Sequence, residues 1–167
     1  DVSKSAERQK IISTLKSSWN SLDILINNVG TNIRKKAHEY NSEEVDKIFQ
    51  TNLNSALELS TGLFDILKKS GDASIVNISS VAGLGHLRTG IIYGMTKAAM
   101  HQMTKNLAIE WAPYNIRVNA IAPWYIQTPL AEQVLQDRNY FKEVIRHSPL
   151  KRIGQPEEVS GLAAFLC

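Results

Sequence analysis

Several features that a protein of 167 residues often has are scarce or missing here. There is one cysteine, Cys167, so no intramolecular disulfide can form, which favours a reducing compartment. No apolar run approaches the roughly 20 residues that span a bilayer. The opening stretch DVSKSAERQK is too polar for a secretory signal. These absences predict a cytoplasmic protein without a membrane partner.

Charge of one sign and metal ligands are scarce as well. The net charge of +3 is modest, and the only basic triplet is Arg34-Lys35-Lys36. We interpret this triplet as a solvated loop, and only secondarily as an anion contact. No Cys or His residues lie at ligand spacing, and no G-x-S-x-G motif marks a nucleophilic serine. We therefore expect no metal and no nucleic-acid partner.

Short apolar runs alternate with longer helical patterns along the chain. Three runs read as buried parallel strands: LDILINN (Leu22 to Asn28), ASIVNISS (Ala73 to Ser80) and IRVNAIAP (Ile116 to Pro123). Helices are predicted over Ser5–Ser18, over Ser42–Lys69 with Ser42 as N-cap, over Tyr93–Trp111, from Thr128-Pro129 toward His147, and over QPEEVSGLAAFL. This alternation predicts one α/β domain over residues 1–167, a doubly wound parallel sheet with helices on both faces.

Each predicted strand runs into an unusual polar loop. These loops are NNVG (Asn27 to Gly30), SSVAG (Ser79 to Gly83) and APWYIQTP (Ala122 to Pro129). A single polar strand end can simply satisfy loop backbone. In an open parallel sheet, however, ligands bind outside the carboxyl ends of the strands, which share one edge. The three ends together predict a common site.

Two helical patterns carry side chains that suit such a site. Asn52 falls on an apolar stripe. A carboxamide buried there without hydrogen bonds would lower the stability of the fold by on the order of 1–3 kcal/mol. It is therefore either a structural asparagine or one aimed into a polar site. Tyr93 and Lys97, four residues apart, share a helix face. A neighbouring Lys cation lowers a phenol's pKa, which would suit a tyrosine acid or base.

These elements resemble the short-chain dehydrogenase/reductase family over nearly the whole chain. The matches are DV, NNVG, the asparagine of TNLNSA, ISS thirteen residues before the tyrosine of YGMTK, and IRVNAIAP leading to IQTP. Within the family, IAPWYIQTPL and PLKRIGQPEEVSGLAAFLC resemble the tropinone reductase-like group of plants. The resemblance implies a Rossmann-like fold that is incomplete at both ends. The family's first strand, its T-G-x-x-x-G-x-G phosphate loop and its last strand have no counterpart here.

The resemblance implies four catalytic roles at the matching positions. Tyr93 would be the general acid that protonates the carbonyl oxygen, or the base in the reverse direction. Lys97 would lower the pKa of Tyr93 and hydrogen-bond the nicotinamide ribose. Ser80, rather than Ser79, would hold the substrate carbonyl. Asn52 would hold a water that links Lys97 to solvent.

The resemblance also implies a nicotinamide cofactor, NADP(H) rather than NAD(H), by analogy with the tropinone reductase-like group. The implied cofactor-binding residues are Asp1 and Val2 at the adenine, Asn28 and Gly30 at the adenosine ribose, Ile126 and Thr128 at the nicotinamide carboxamide or a phosphate, and Tyr93 and Lys97. One departure is Trp124, which stands where the family usually has glycine. Its ring would either narrow the pocket or pack outward.

Three functions remain open from the sequence. The first is an NADP-dependent oxidoreductase acting on a carbonyl or alcohol. The second is a truncated, inactive chain that binds no cofactor or acts only through another subunit. The third is an epimerase or dehydratase using the same Tyr and Lys. The segment Tyr125–His147 suits a small or medium, partly apolar carbonyl substrate. Family analogy implies a homodimer or homotetramer built through the helices Ser42–Lys69 and Tyr93–Trp111.

Overall fold

The computed structural model describes all 167 residues and contains one parallel sheet. Its strands are β1 (Ile24–Asn27), β2 (Ala73–Ile78) and β3 (Ile116–Ile121), in the order β1-β2-β3. Ile24 lies opposite Ser74, and Ala73 lies opposite Ile116. The three predicted strands and the α/β class are confirmed. Each strand ends before its apolar run does, because the last residues of the run already form the polar loop.

Eight α-helices accompany the sheet. They are α1 (Ser5–Ser18), α2 (Ser42–Phe49), α3 (Ser55–Gly62), α4 (Phe64–Ser70), α5 (Ile91–Trp111), α6 (Pro129–Leu135), α7 (Arg138–His147) and α8 (Pro156–Leu166). A π-helical turn covers Gln50–Asn54, and 3₁₀ turns cover Ala37–Glu39, Val81–Gly83 and Ala112–Tyr114. None of these helices combines the length and apolar character that crossing a bilayer requires.

Helices pack on both faces of the sheet, as predicted. Successive side chains of a strand point to opposite faces. Ile75 therefore joins the main core with residues of α1, α4 and α5, whereas its neighbour Val76 packs with Ala163 of α8. The main core consists of Ile12, Leu22, Leu63, Ile66, Leu67, Ala73, Ile75, Leu107, Trp111, Ile116 and Val118.

Strand β1 forms an edge of this three-stranded sheet. On the face that carries α8, Ile24 and Ile26 remain 47% and 46% exposed. Helix α8 packs over β2 and β3 on that face. The sheet therefore has an uncovered apolar strip and an unpaired backbone edge at the same strand.

The predicted continuous helix Ser42–Lys69 is wrong in two respects. Its N-cap is Asn41 rather than Ser42, since the Asn41 side chain accepts the Glu44 N–H at 2.9 Å in a capping box. The helix is also interrupted by the π-helical turn at Gln50–Asn54 and again at Leu63. The hydroxyls of Thr51 and Ser55 donate to carbonyls four residues earlier, a bond that commonly bends helices.

The pattern that begins at Thr128 also forms two helices rather than one. Thr128 caps α6 as predicted, accepting the Ala131 N–H at 3.3 Å, with Pro129 in the first turn. Asp137 then accepts the N–H groups of Asn139 and Tyr140, which starts α7 as a separate helix. A carboxylate at this position favours a new N-terminus because it satisfies free backbone donors.

Candidate active site

The carboxyl edge of the sheet holds a cavity of about 130 Å³. Ser80, from the loop after β2, and Tyr93, from the first turns of α5, both line it. Pro123 to Ile126, after β3, form another wall. The structure thus brings together the predicted serine and tyrosine, although they are thirteen positions apart in the chain.

The two serines of this loop have different surroundings. Ser79 is buried; its hydroxyl donates to the Lys97 carbonyl at 3.2 Å and lies 3.1 Å from His101 Nε2. Ser80 caps the Val81–Gly83 turn, accepting the Ala82 N–H at 3.1 Å. Ser80 also lines the cavity together with Tyr93, and its hydroxyl lowers the pKa of the phenol. Ser79 therefore fastens the loop to α5, and Ser80 is the serine that meets the tyrosine.

Burial dominates the electrostatics of the Tyr93 and Lys97 pair. Burial raises the pKa of Tyr93, and the nearby Ser80 hydroxyl and the positive charge of Arg34 only partly offset this rise. The net direction is therefore upward, because desolvation is the largest effect on this pKa, and the lowering predicted from the Lys97 charge does not appear among its causes. Burial also lowers the pKa of Lys97 to about 8. Its Nζ donates to the Ile78 carbonyl at 2.8 Å and lies 5.7 Å from the Tyr93 ring centroid.

Asn52 is fully buried in the π-helical turn and satisfies its side chain there. Its Oδ1 accepts the Thr31 N–H at 2.7 Å, and its Nδ2 donates to the Thr31 carbonyl at 2.9 Å and to Thr96 Oγ1 at 3.3 Å. Gly30 lies beside it: a methyl group at that position would be 3.6 Å from Asn52 Oδ1 and 3.8 Å from Lys97 Nζ. The absent side chain of Gly30 leaves space between Asn52 and Lys97.

The predicted cofactor residues divide between two regions. Asn28, Ile126 and Thr128 line a second cavity of about 800 Å³, and the last two also line the cavity of Tyr93. Val2 and Asn28 border a small cavity of about 60 Å³. Asp1 is exposed, lines neither of the two larger cavities, and accepts the Ser3 N–H.

These two adjoining cavities fit an elongated ligand whose reactive end reaches Tyr93. Their shared wall consists of Ile126 and Thr128, the two residues predicted at the nicotinamide end. At this shared wall the residues present are compatible with the nicotinamide end of a dinucleotide, whereas the larger cavity is lined mainly by apolar side chains, Ile24 and Ile26 among them, and by no charged side chain. No group of three or more His, Cys, Asp or Glu side chains is arranged to hold a metal ion.

Trp124 takes part in the cavity wall. Its Nε1 donates to Ser148 Oγ at 3.0 Å, and its ring packs edge-to-face on Tyr125, with centroids 5.0 Å apart. The Tyr125 hydroxyl in turn bonds that of Tyr140 on α7. Trp124 thus lines the cavity while its indole is held by Ser148 and Tyr125.

Sequence reasoning missed the environments of two arginines. Arg8 is buried and bound by Glu58, and it also donates to the Val2 carbonyl at 2.7 Å. Its position four residues before Ile12 on the apolar stripe of α1 was the available signal. The interpretation of Arg34 as part of a solvated loop is wrong, because its side chain lines the cavity of Tyr93. Nothing in the triplet itself distinguished Arg34 from its lysine neighbours.

Comparisons with known proteins agree with this geometry. The family model described as Enoyl-(Acyl carrier protein) reductase matches residues 1–167. A tropinone reductase homolog of Arabidopsis thaliana is 54% identical and is matched over 100% of this chain and 64% of its own length. Senescence-associated protein 13 of the same plant is 48% identical over 100% of this chain and 62% of its own length. The chain thus spans less than two thirds of these relatives.

Two solved structures share the fold. A putative NAD(P)-dependent gluconate 5-dehydrogenase from Beutenbergia cavernae, with bound NADP, has a TM-score of 0.95 at 28% identity, covering 100% of this chain and 67% of that one. A gluconate 5-dehydrogenase from Burkholderia cenocepacia, in complex with NADP and tartrate, has a TM-score of 0.93 at 28% identity, covering 100% and 66%. By its family-model match and its relatives, the chain belongs to the short-chain dehydrogenase/reductase family.

Proposed function

We propose that the protein is an NADP(H)-dependent, tropinone reductase-like oxidoreductase that interconverts a carbonyl and an alcohol. The observation that carries this proposal is the shared cavity of Ser80 and Tyr93, whose wall continues through Ile126 and Thr128 into a larger cavity. When bound, the nicotinamide supplies or accepts the hydride. The residues of the chain hold the substrate oxygen and move its proton.

Each side chain has a definite task in this proposal. The Ser80 hydroxyl orients the carbonyl oxygen toward Tyr93. Because burial raises its pKa, Tyr93 stays protonated at neutral pH and donates its proton to the oxygen as the carbonyl is reduced. The positive charge of Lys97, 5.7 Å from the ring centroid, stabilises the phenolate that remains.

We further propose that Asn52 supports proton return to Tyr93. The space that Gly30 leaves lies between Asn52 Oδ1 and Lys97 Nζ. A water there would have an acceptor on one side and a donor on the other, the partners that an ordered water requires. Lys97 would also hydrogen-bond the nicotinamide ribose, exchanging its bond to the Ile78 carbonyl for that contact.

The decisive test removes the hydroxyl group of Tyr93. Tyr93→Phe should lower kcat for ketone reduction by roughly 10²- to 10⁴-fold, the usual contribution of a positioned general acid. Tyr114→Phe is the matched control, because that ring packs on Phe64 and lies outside the cavity. Consumption of NADPH with a panel of ketones measures both variants. A Tyr93→Phe protein that retains full activity would exclude this function.

The preference for NADP(H) is a separate part of the proposal. It is supported by the two structural neighbours whose complexes contain NADP. The ratio of kcat/KM for NADPH to that for NADH measures the preference. An equal or inverted ratio would leave the reaction class intact but would reject NADP(H) as the favoured cofactor.

The exposed strip on β1 favours a second candidate function. Ile24 and Ile26 are about half exposed beside an unpaired strand edge, the kind of surface that recruits another chain. The chain would then bind no cofactor by itself and act only within an assembly. Calorimetric titration with NADPH separates the two candidates: tight, saturable binding to the isolated chain rejects the second.

Assembly into a homodimer or homotetramer is also proposed, through α2 to α5. Apolar side chains on two of these helices are exposed: Leu57 on α3, and Met95 and Ile109 on α5. Light scattering on the purified protein measures the assembly state. A monomer at all concentrations tested would contradict this part of the proposal.

A further inference from the structure

Two buried polar atoms of this protein have no hydrogen-bond partner, and both belong to the substrate cavity. They are Oδ1 of Asn32 and Nε of Arg34, in the loop after β1. Both side chains line the same cavity as Ser80 and Tyr93. An unpaired buried donor or acceptor costs about 1–3 kcal/mol, so a free acceptor and a free donor at one site indicate a missing ligand.

The surrounding bonds fix how the two groups are presented. Asn32 Nδ2 donates to the Thr89 carbonyl at 2.8 Å, which assigns the carboxamide orientation and leaves Oδ1 as the free acceptor. Arg34 makes one long contact, from Nη2 to the Leu130 carbonyl at 3.5 Å. None of the five ion pairs in the protein includes Arg34.

Arg34 is also the only charged side chain of the cavity. No Asp or Glu lines it. The carboxylates nearby are bound to other groups: Glu44 forms an ion pair with Lys35, and Glu39 accepts the Lys36 N–H. The charge of Arg34 acts on the reaction centre, because it partly offsets the rise that burial causes in the pKa of Tyr93. A partly desolvated guanidinium without a carboxylate favours an anionic ligand.

We propose that Arg34 forms a carboxylate-binding subsite, with Asn32 beside it as a hydroxyl acceptor, and that the substrates are small keto acids and the corresponding hydroxy acids. This inference rests on the proposed function of the cavity. The guanidinium would donate to the substrate carboxylate, and Asn32 Oδ1 would accept from a substrate hydroxyl. The cavity of about 130 Å³ limits the reacting part to a few carbon atoms. The same charge would reject cationic amino ketones.

Three ketones of similar size but different charge test the subsite: levulinate, its neutral methyl ester, and protonated dimethylaminobutanone. The wild-type protein should have the highest kcat/KM for levulinate and the lowest for the cation. Arg34→Gln should reduce the ratio of kcat/KM for levulinate to that for the ester by about 10- to 100-fold, the loss expected for a hydrogen bond to a charged group. Lys36→Gln, which removes the exposed charge two residues away, should retain the wild-type ratio.

Arg34→Lys covers the case in which the glutamine variant does not fold. It keeps the charge but loses the planar fork, so it should retain part of the preference for levulinate. A ratio that is unchanged in both Arg34 variants would overturn the inference. So would a loss that is equal for all three ketones, which would indicate a structural role.

A binding measurement separates failure of this inference from failure of the proposed function. Saturation-transfer NMR detects levulinate on the protein without cofactor or turnover. We expect a signal with the wild type and with Lys36→Gln, and its loss with Arg34→Gln. If the ester is reduced but levulinate neither binds nor reacts, the subsite is rejected and the oxidoreductase stands. If levulinate binds but no ketone is reduced, the subsite stands and the proposed reaction is rejected.

Discussion

Replacing Gly83 with alanine should displace Ser80 from Tyr93. A methyl group at Gly83 would lie 2.6 Å from the Lys97 carbonyl carbon and 2.7 Å from the Ala98 nitrogen. Gly83 does not have a positive φ, so its backbone conformation accepts alanine without strain. The expected effect is therefore entirely steric, and it acts on the contact between the Val81–Gly83 turn and α5.

The size of this effect follows from those distances. The clash is with helix backbone, which cannot rotate away, so the turn must withdraw by about 0.8 Å to restore the 3.4 Å of an ordinary contact. Overpacking of this kind costs about 1–3 kcal/mol. Ser80 caps the turn and would move with it. A shift near 1 Å at a reacting group can lower kcat by up to about 100-fold.

Gly85→Ala provides the control for this experiment. Gly85 lies two residues away in the same loop, and a methyl group there would meet nothing within 4 Å. Urea unfolding should show a loss of stability of about 1–3 kcal/mol for Gly83→Ala and a change within about 0.5 kcal/mol for Gly85→Ala. Ketone reduction should fall only in Gly83→Ala. Equal stability and equal kcat in the two variants would refute the reasoning.

Three further perturbations concern buried polar side chains, and urea unfolding measures each of them. Arg8→Met should cost about 1–3 kcal/mol, because the Val2 carbonyl, Gln50 and the partly exposed Glu58 lose a buried donor. Lys16→Gln, at an exposed ion pair, should cost less than about 1 kcal/mol, and equal losses would contradict the role of burial. Burial lowers the pKa of Lys97 from 10.5 to about 8, so between these pH values the unfolded chain binds more protons than the folded one, and the free energy of unfolding should rise with pH. Lys97→Met should remove that rise; identical slopes of unfolding free energy against pH in the two proteins would refute the prediction. Asn52→Ala should lower the free energy of unfolding by about 1–3 kcal/mol, because it leaves the backbone groups of Thr31 unpaired, and it should also lower kcat. Unchanged stability would show that these hydrogen bonds are dispensable.

The parts of the fold that local rules control were predictable from the sequence. Helix α1 has its predicted bounds, and Thr128-Pro129 starts α6, because caps and apolar periodicity act over a few residues. The interruption at Gln50–Asn54 was not predictable in this way. The surrounding residues keep helical periodicity, and the π-helical turn appears only when Asn52 finds partners on the loop after β1 and on α5.

The members of the site were easier to predict than their electrostatics. Ser80 and Tyr93 share a cavity because strand ends of one parallel sheet share an edge, a rule that needs no atomic detail. The direction of the Tyr93 pKa depends on how deeply the ring is buried, which spacing does not reveal. Burial likewise separates Arg34 from Lys36: the sequence does not distinguish the two cations, but Arg34 lines the cavity and Lys36 is exposed.

Asn52 connects the two halves of the proposed site. Its carboxamide holds both backbone groups of Thr31, and its Nδ2 also reaches Thr96, the residue before Lys97 on α5. Thr31 directly precedes Asn32, so the same three bonds that anchor α5 also fix the start of the segment that carries the proposed carboxylate subsite. A fully buried asparagine in a π-helical turn thereby sets the position of the lysine beside Tyr93 relative to the substrate-facing loop. This structural task explains why a polar side chain occupies an otherwise apolar stripe, and it does not depend on the water relay proposed for the same residue.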